Sequence, residues 1–295
     1  MTVPAGWRLF ARYAYAPNAR GYCGPPGARV LADVARGDGT GDQVDVPALA
    51  RRFSGAWPYQ VLIAELAGID DPLDARVGRA YWTGSELTGE IDARRLGELL
   101  LERFAAQAGH YWSHLTAELL EEVTPTHVFH VLGVYPWSRL LAGGRPEPLE
   151  VLDSCRIRPG TVLERRGEQL LVSAARLGWN GRELSLSEPG PELVGYWPAG
   201  DGGEDPAPGD SVAIHWRHAC DLLAPGDASQ LERYTSRQVE ATNRRLRRSR
   251  GKPWASSHRA TSARAPVRGG RALSRGRAGG PGTRRRRSDR RLGGR

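Results

Sequence analysis

Leu177-Gly178-Trp179-Asn180-Gly181-Arg182-Glu183-Leu184-Ser185-Leu186 is the stretch on which the fold turns. Asn180-Gly181 separates two short apolar runs, and both residues tolerate the positive φ of a tight hairpin. Upstream, Leu149 to Leu152, Thr161 to Glu164 and Gln169 to Ala174 are further β-prone runs, with Arg166-Gly167 as a turn between two of them. Downstream, Ser211 to Trp216 returns to strand character. Short strands at this spacing predict a small β-barrel. Pro189 to Gly209 is rich in Gly, Pro, Asp and Glu and reads as a flexible acidic loop with a short ordered piece at Leu193 to Trp197. Asp227 to Asn243 reads as a closing helix, with Ser229 and Glu232 spaced as a capping box.

The N-terminal half has the helical period instead. Asp45-Val46-Pro47 is a helix start, with Asp at the cap and Pro in the first turn. Leu49, Phe53 and Trp57 follow at helical spacing until Pro58, which begins a second helix stopped near Gly68. Leu96, Leu99, Leu100 and Phe104 form one stripe on a helix from Asp92 to Gln107, and Tyr111 to Val123 has a similar pattern. In Val128 to Leu141 the period does not separate buried strand from helix. The expected class is therefore α+β. Residues 1–147 form a mainly helical domain, 148–243 a barrel with its closing helix, and 244–295 a disordered tail.

Charge divides the chain in the same place. The 295 residues carry a net charge of +9, but from Ala241 onward there are 18 Arg, one Lys and one Asp. The first 240 residues are thus net acidic by 9, which gives no footprint for nucleic acid on the folded body. The Arg- and Gly-rich tail lacks apolar residues to bury, so it cannot offset its ordering entropy. It is either a nucleic-acid-binding arm or a non-functional extension. Its abrupt onset and its resemblance to GC-rich DNA read in a wrong frame favour the second. Three cysteines are too few for a disulfide framework, and the first 30 residues contain no apolar leader. A cytoplasmic protein with no membrane partner is expected.

Two runs could carry chemistry: Cys155-Arg156-Ile157-Arg158-Pro159-Gly160 and Gly209-Asp210-Ser211-Val212-Ala213-Ile214-His215. Strand alternation puts Val212, Ile214 and Trp216 on one face and His215 on the other. If the apolar set fills the barrel, His215 is free to act. Pro159-Gly160 reads as a rigid turn presenting Cys155 at a strand entrance. A thiol and an imidazole so placed could form a metal site, form a nucleophile with its base, or have no joint role. Further candidates are Cys23 in a tight Gly-rich loop, His127 and His130 in an apolar run, and His218 and Cys220 beyond the key strand. His127 and His130 fit buried, hydrogen-bonded packing better than ligation, and Cys23 fits a small buried hydrophobe better than a reactive thiol. His110 and His114 have zinc-pair spacing but no third ligand. The aromatics of Trp7 to Tyr15 and Tyr81-Trp82 read as packing. No nucleotide-binding glycine motif is present.

The order of these motifs resembles the HypC/HupF family of hydrogenase assembly chaperones. It runs Cys-x-x-x-Pro-Gly, a β-run, a hairpin, then Gly209-Asp210 and His215, then a helix with an acidic start, over about residues 155–243. That resemblance implies a small barrel with a C-terminal helix, and iron of the Fe(CN)2CO type held by Cys155 with help from His215. Pro159, Gly160, Gly209 and Asp210 would shape the motif. The implied partners are a HypD-like scaffold and the precursor of the NiFe-hydrogenase large subunit. The family's cysteine is N-terminal, whereas Cys155 is internal. Residues 1–245 also loosely resemble an uncharacterised actinobacterial family associated with NiFe-hydrogenase gene clusters. The expected function is a non-enzymatic accessory or maturation factor, a docking chaperone with an iron site. The alternatives are a thiol enzyme using a Cys/His pair and an Arg-tail nucleic-acid binder.

Overall fold

A computed structural model describes residues 3–37, 45–104, 117–198 and 205–250. It is a mixed helix and sheet protein, as the two halves of the sequence predict. The helical part begins with Ala5–Ala19, Ala28–Arg36, Trp57–Leu66, Ala75–Trp82 and Ala93–Phe104. Asp45 caps Val46–Ala50 by accepting from the Ala48 amide at 2.7 Å, as its type and position require. The expected single helix through Phe53 to Trp57 does not form. Phe53 turns inward and is fully buried, and a new helix begins at Trp57. The apolar run after Thr126 is helical, starting as His127–Phe129 and widening into a π turn over His130–Val134. His110 and His114 lie outside the described residues.

The strands are β1 (Arg158–Arg166), β2 (Gln169–Ala174), β3 (Leu177–Trp179), β4 (Leu184–Leu186), β5 (Gly190–Gly195), β6 (Ser211–His215) and β7 (His218–Leu223). Five of them close a barrel in the order β1-β2-β5-β7-β6, while β3 and β4 form the Asn180-Gly181 hairpin outside it. Gly181 takes φ 87°, the conformation that makes this turn a glycine position. Val162, Leu170, Val172, Val194, Val212 and Ile214 fill the barrel.

Three expectations about this region are corrected. Leu149 to Leu152 is not a strand: Glu147–Cys155 is a helix, started by Pro148 in its first turn and burying Val151, Leu152 and Cys155. Pro159 and Gly160 are not a turn but part of β1, paired with Ala213 and Val212 of β6. A Cβ on Gly160 would lie 2.5 Å from the Ile214 side chain, so the glycine permits close approach of the barrel wall. The expected loop after Pro189 begins with β5, which buries Glu192 and Val194 and pairs with β2 along its length.

The closing helix is longer than its apolar pattern and runs Pro225–Arg250. Ser229 does not cap it but donates back to the Pro225 carbonyl at 3.0 Å. Residues 244–248 therefore belong to the fold. Arg245 pairs with Glu122 and donates to the Leu132 carbonyl at 2.7 Å. Residues 1–253 form one compact unit, and the second unit, 254–295, lies outside the described residues. One core runs through the helices into Ile157, Ala213, Cys220, Leu223 and Leu231, so helices and barrel are packed as one body within that unit. Among the described residues no helix is long and apolar enough to cross a membrane.

Candidate metal centre

His215 stands at the end of β6 where the barrel meets the helices. Alternation correctly turns Val212 and Ile214 into the barrel and His215 out of it. The outer face is covered by helices, however, and His215 is 1% exposed rather than free in solvent. Its Nδ1 lies 2.8 Å from the Tyr13 carbonyl of the first helix. Only a protonated Nδ1 can make that bond, so the Nε2 lone pair is left facing inward. Nε2 is buried and no well-formed hydrogen bond satisfies it, although the Cys155 carbonyl lies near the ring. A histidine fixed through Nδ1–H to a backbone carbonyl, with Nε2 unused, has the orientation of a metal-ligating imidazole.

Cys155 is the last residue of its helix and is buried, not displayed at a strand entrance. Three arginines and two acids hold this helix end in place. Arg156 donates to Asp153 at 2.8 Å and to the Ala175 carbonyl at 2.8 Å, while Arg158 and Arg176 both pair with Glu192. Asp153 also accepts from the Leu177 amide at 2.8 Å. The Ser154 carbonyl accepts from the Trp216 amide at 2.8 Å, which ties the cysteine helix to the turn directly after His215. That turn is tight and strained: Trp216 and Arg217 have φ of 51° and 59°, rare for residues with side chains.

His127 completes the cluster. Its Nδ1 lies 3.0 Å from the Tyr81 hydroxyl, and its Nε2 lies 3.1 Å from the Cys155 carbonyl and 3.9 Å from Cys155 Sγ. The ligand atoms of His127, Cys155 and His215 all fall within 4.8 Å of one another. Tyr81 and Trp82 wall the site, with Trp82 stacked on Tyr13 at 5.5 Å. The aromatics read as packing do pack, and what they pack around is this cluster.

Burial keeps all three groups neutral. It pushes the Cys155 thiol well above its usual range. It pushes His127 well below the normal imidazole value and His215 down to about 4, against a smaller upward pull from the Tyr13 and Cys155 carbonyls. The opposite shifts would mark an activated nucleophile, in which a thiolate is stabilised beside an imidazolium. A bound cation reverses this logic, because it expels the thiol proton and requires neutral imidazoles.

The remaining candidates fall elsewhere. His218 and Cys220 lie in β7, the strand after His215. The His218 ring packs against Tyr15 and Trp197, and Cys220 Sγ contacts the His218 carbonyl at 3.5 Å. Gly209 and Asp210 are at the far end of β6. Gly209, at φ 97°, donates to the Val162 carbonyl at 2.8 Å, and Asp210 accepts from the Ala207 amide at 2.8 Å. They shape the entry to the strand, not the site. Cys23 and His130 border a small cavity that also touches His127, Cys155 and His215. Nothing in the spacing of the sequence brings His127 to Cys155. The only available signal was a pair of histidines in an otherwise apolar run.

A sequence profile for a family of unknown function, DUF6390, matches residues 2–249. No curated protein and no solved structure matches the chain.

Proposed function

The chain belongs to that family, which has no known function, and we propose from its site that it is an accessory factor binding one metal ion through His127, Cys155 and His215. We further propose that it serves NiFe-hydrogenase maturation. The observation that carries the metal reading is the convergence of one thiol and two imidazoles from three separate elements. The fit is supported by His215, whose buried Nε2 is left without a hydrogen bond beside a small cavity that also touches Cys155 and His127. One soft thiolate with two imidazoles suits iron, zinc or copper(I) and leaves room for a further ligand. The hydrogenase reading rests on the resemblance of the Cys155 to His215 motif order to HypC/HupF. It implies iron, a HypD-like scaffold and a large-subunit precursor as cargo and partners. A thiol enzyme is less well supported, because burial holds the Cys155 sulfur protonated rather than as the thiolate a nucleophile needs.

In such a site the ion would be held by the chain and handed on, so the chain's residues act by orientation and exclusion. Tyr13 fixes the His215 tautomer and Trp82 keeps water away. His127 Nε2 faces the Cys155 carbonyl at 3.1 Å and would give up that hydrogen bond, with its proton moving to the Tyr81 side of the ring, to hold the ion. A bound metal would supply the positive charge that makes the Cys155 sulfur a thiolate. The test is anaerobic purification of the full chain from cells making hydrogenase, followed by metal analysis and identification of co-purified proteins. One iron per chain and recovery of a maturation protein are expected, with both reduced by Cys155→Ala and His215→Ala. Absence of stoichiometric metal after iron(II) reconstitution would overturn the metal reading. Metal without any maturation partner would overturn the hydrogenase reading alone.

A further inference from the structure

An open cleft of about 380 Å³ adjoins the small cavity that touches the cluster. Its lining includes the loop from Gly21 to Pro25, Arg52, Gly55, His130 and Tyr135. Behind it is the small cavity that touches Cys155, His127 and His215, where the centre of a water-sized sphere can range over about 10 Å³. That is close to the least space that holds one water or a bare ion. The two spaces share four residues: Cys23, Gly55, His130 and Tyr135. A sulfur donor and a nitrogen donor therefore stand at the boundary between solvent and the buried site.

The boundary is built, not incidental. Asn18 donates to the carbonyls of Cys23 and Pro25, each at 2.7 Å, and so fixes the loop that carries the thiol. Tyr22 stacks on Trp216 at 4.1 Å, joining the same loop to the strained turn after His215. Gly55 has no side chain, and a Cβ there would lie 2.8 Å from His130 Nε2. Cys23 alone is partly exposed, while Cys155 is buried. His215 lines the inner cavity, and its buried Nε2, left without a well-formed hydrogen bond, is the feature that points to a ligand there.

We propose that Cys23 and His130 are a transfer pair that passes a soft divalent or monovalent cation between the cleft and the buried His127, Cys155 and His215. This rests on the metal reading of that cluster. Entry proceeds by ligand exchange. The Cys23 thiol releases its proton to water as its sulfur–metal bond forms. Cys155 then releases its own proton as it takes the ion, the Cys23 bond breaks, and Cys23 regains a proton from water. No electron moves, and release to a partner reverses the path.

Such a pair has a kinetic signature that a structural role lacks: it changes loading and release equally and leaves affinity alone. The test uses the metal-free full chain with cobalt(II), followed by its thiolate-to-metal absorption, with removal by a chelator measured separately. Cys23→Ser should bind one equivalent with wild-type affinity and band, which also shows that it has folded. Its loading and chelator removal should both slow by an order of magnitude, and His130→Gln should behave alike. Cys155→Ser should lose the band. Wild-type rates in both Cys23→Ser and His130→Gln would overturn the transfer pair while leaving the site intact. Loss of the band in Cys23→Ser with retention in Cys155→Ser would overturn it too, because Cys23 would then be a ligand. A wild-type chain that takes up neither cobalt nor iron would instead sink the metal reading beneath it.

Discussion

His127, His130, His215 and His218 share one electrostatic situation, since burial penalises the imidazolium of each. His130 is pushed down to about 3, His215 and His218 to about 4, and His127 well below normal. Unfolded, each would titrate near the ordinary imidazole value of about 6.5. Between that pH and the folded values the unfolded chain binds more protons, so stability must rise with pH across the window and fall as acid is added. Each group contributes up to about 1.4 kcal/mol per pH unit. Glu122 and Asp221, whose carboxyls burial pushes up, act in the opposite sense, but each retains an arginine partner. The urea midpoint of the metal-free protein should therefore drop steeply from pH 6.5 to pH 4. A flat profile would show that these histidines are not buried neutral. At this scale the sequence was informative about one half of the geometry. Alternation placed His215 outside the barrel because the side-chain period is a property of the strand itself. It could not reveal what covers the outer face, since Tyr13, Tyr81 and His127 arrive from elements 130 or more and 80 or more residues away by chain path, with no local trace.

The same limit governs whole elements. Asn180-Gly181 was legible as a hairpin because its φ requirement is local. Leu149 to Leu152 reads as a strand because Leu149, Val151 and Leu152 suit either a strand or a buried helix face, and tertiary packing decides. Here the decision is made at the C-terminal end of the helix, where Asp153 accepts from Arg156 and the Leu177 amide inside the core. Asp153 and Arg156 are 6% and 2% exposed. Removing one member of a buried pair leaves the other charge uncompensated, which costs about 3–5 kcal/mol. Asp153→Asn keeps the shape and an acceptor for Leu177 but removes the charge. It should lower unfolding free energy by about 3 kcal/mol in urea. It should also weaken cobalt binding, because Cys155 sits two residues further along the same turn. Unchanged stability and affinity would show that the ion network does not hold the thiol.

For the whole molecule, the boundary of the fold is the sharpest departure from the composition. Periodicity fades after Asn243 because arginines replace apolar residues, yet the helix continues to Arg250. Those arginines are satisfied by carboxylates from distant elements: Arg245 by Glu122, Arg247 by Glu183 and Arg248 by Glu121. The family profile ends at residue 249, in agreement with this boundary. Arg245 and Glu122 are largely buried, whereas the other two pairs are exposed and contribute little. The two edges can be separated by truncation. A chain ending at Arg250 should keep the full-length urea midpoint, because it retains the whole closing helix and the whole span of the family profile. A chain ending at Asn243 should lose about 3 kcal/mol or more, since Glu122 is left buried without its arginine and the Leu132 carbonyl loses its donor. Equal stability of the two truncations would place the fold boundary at Asn243, and a large loss at Arg250 would make the Arg-rich extension part of the fold.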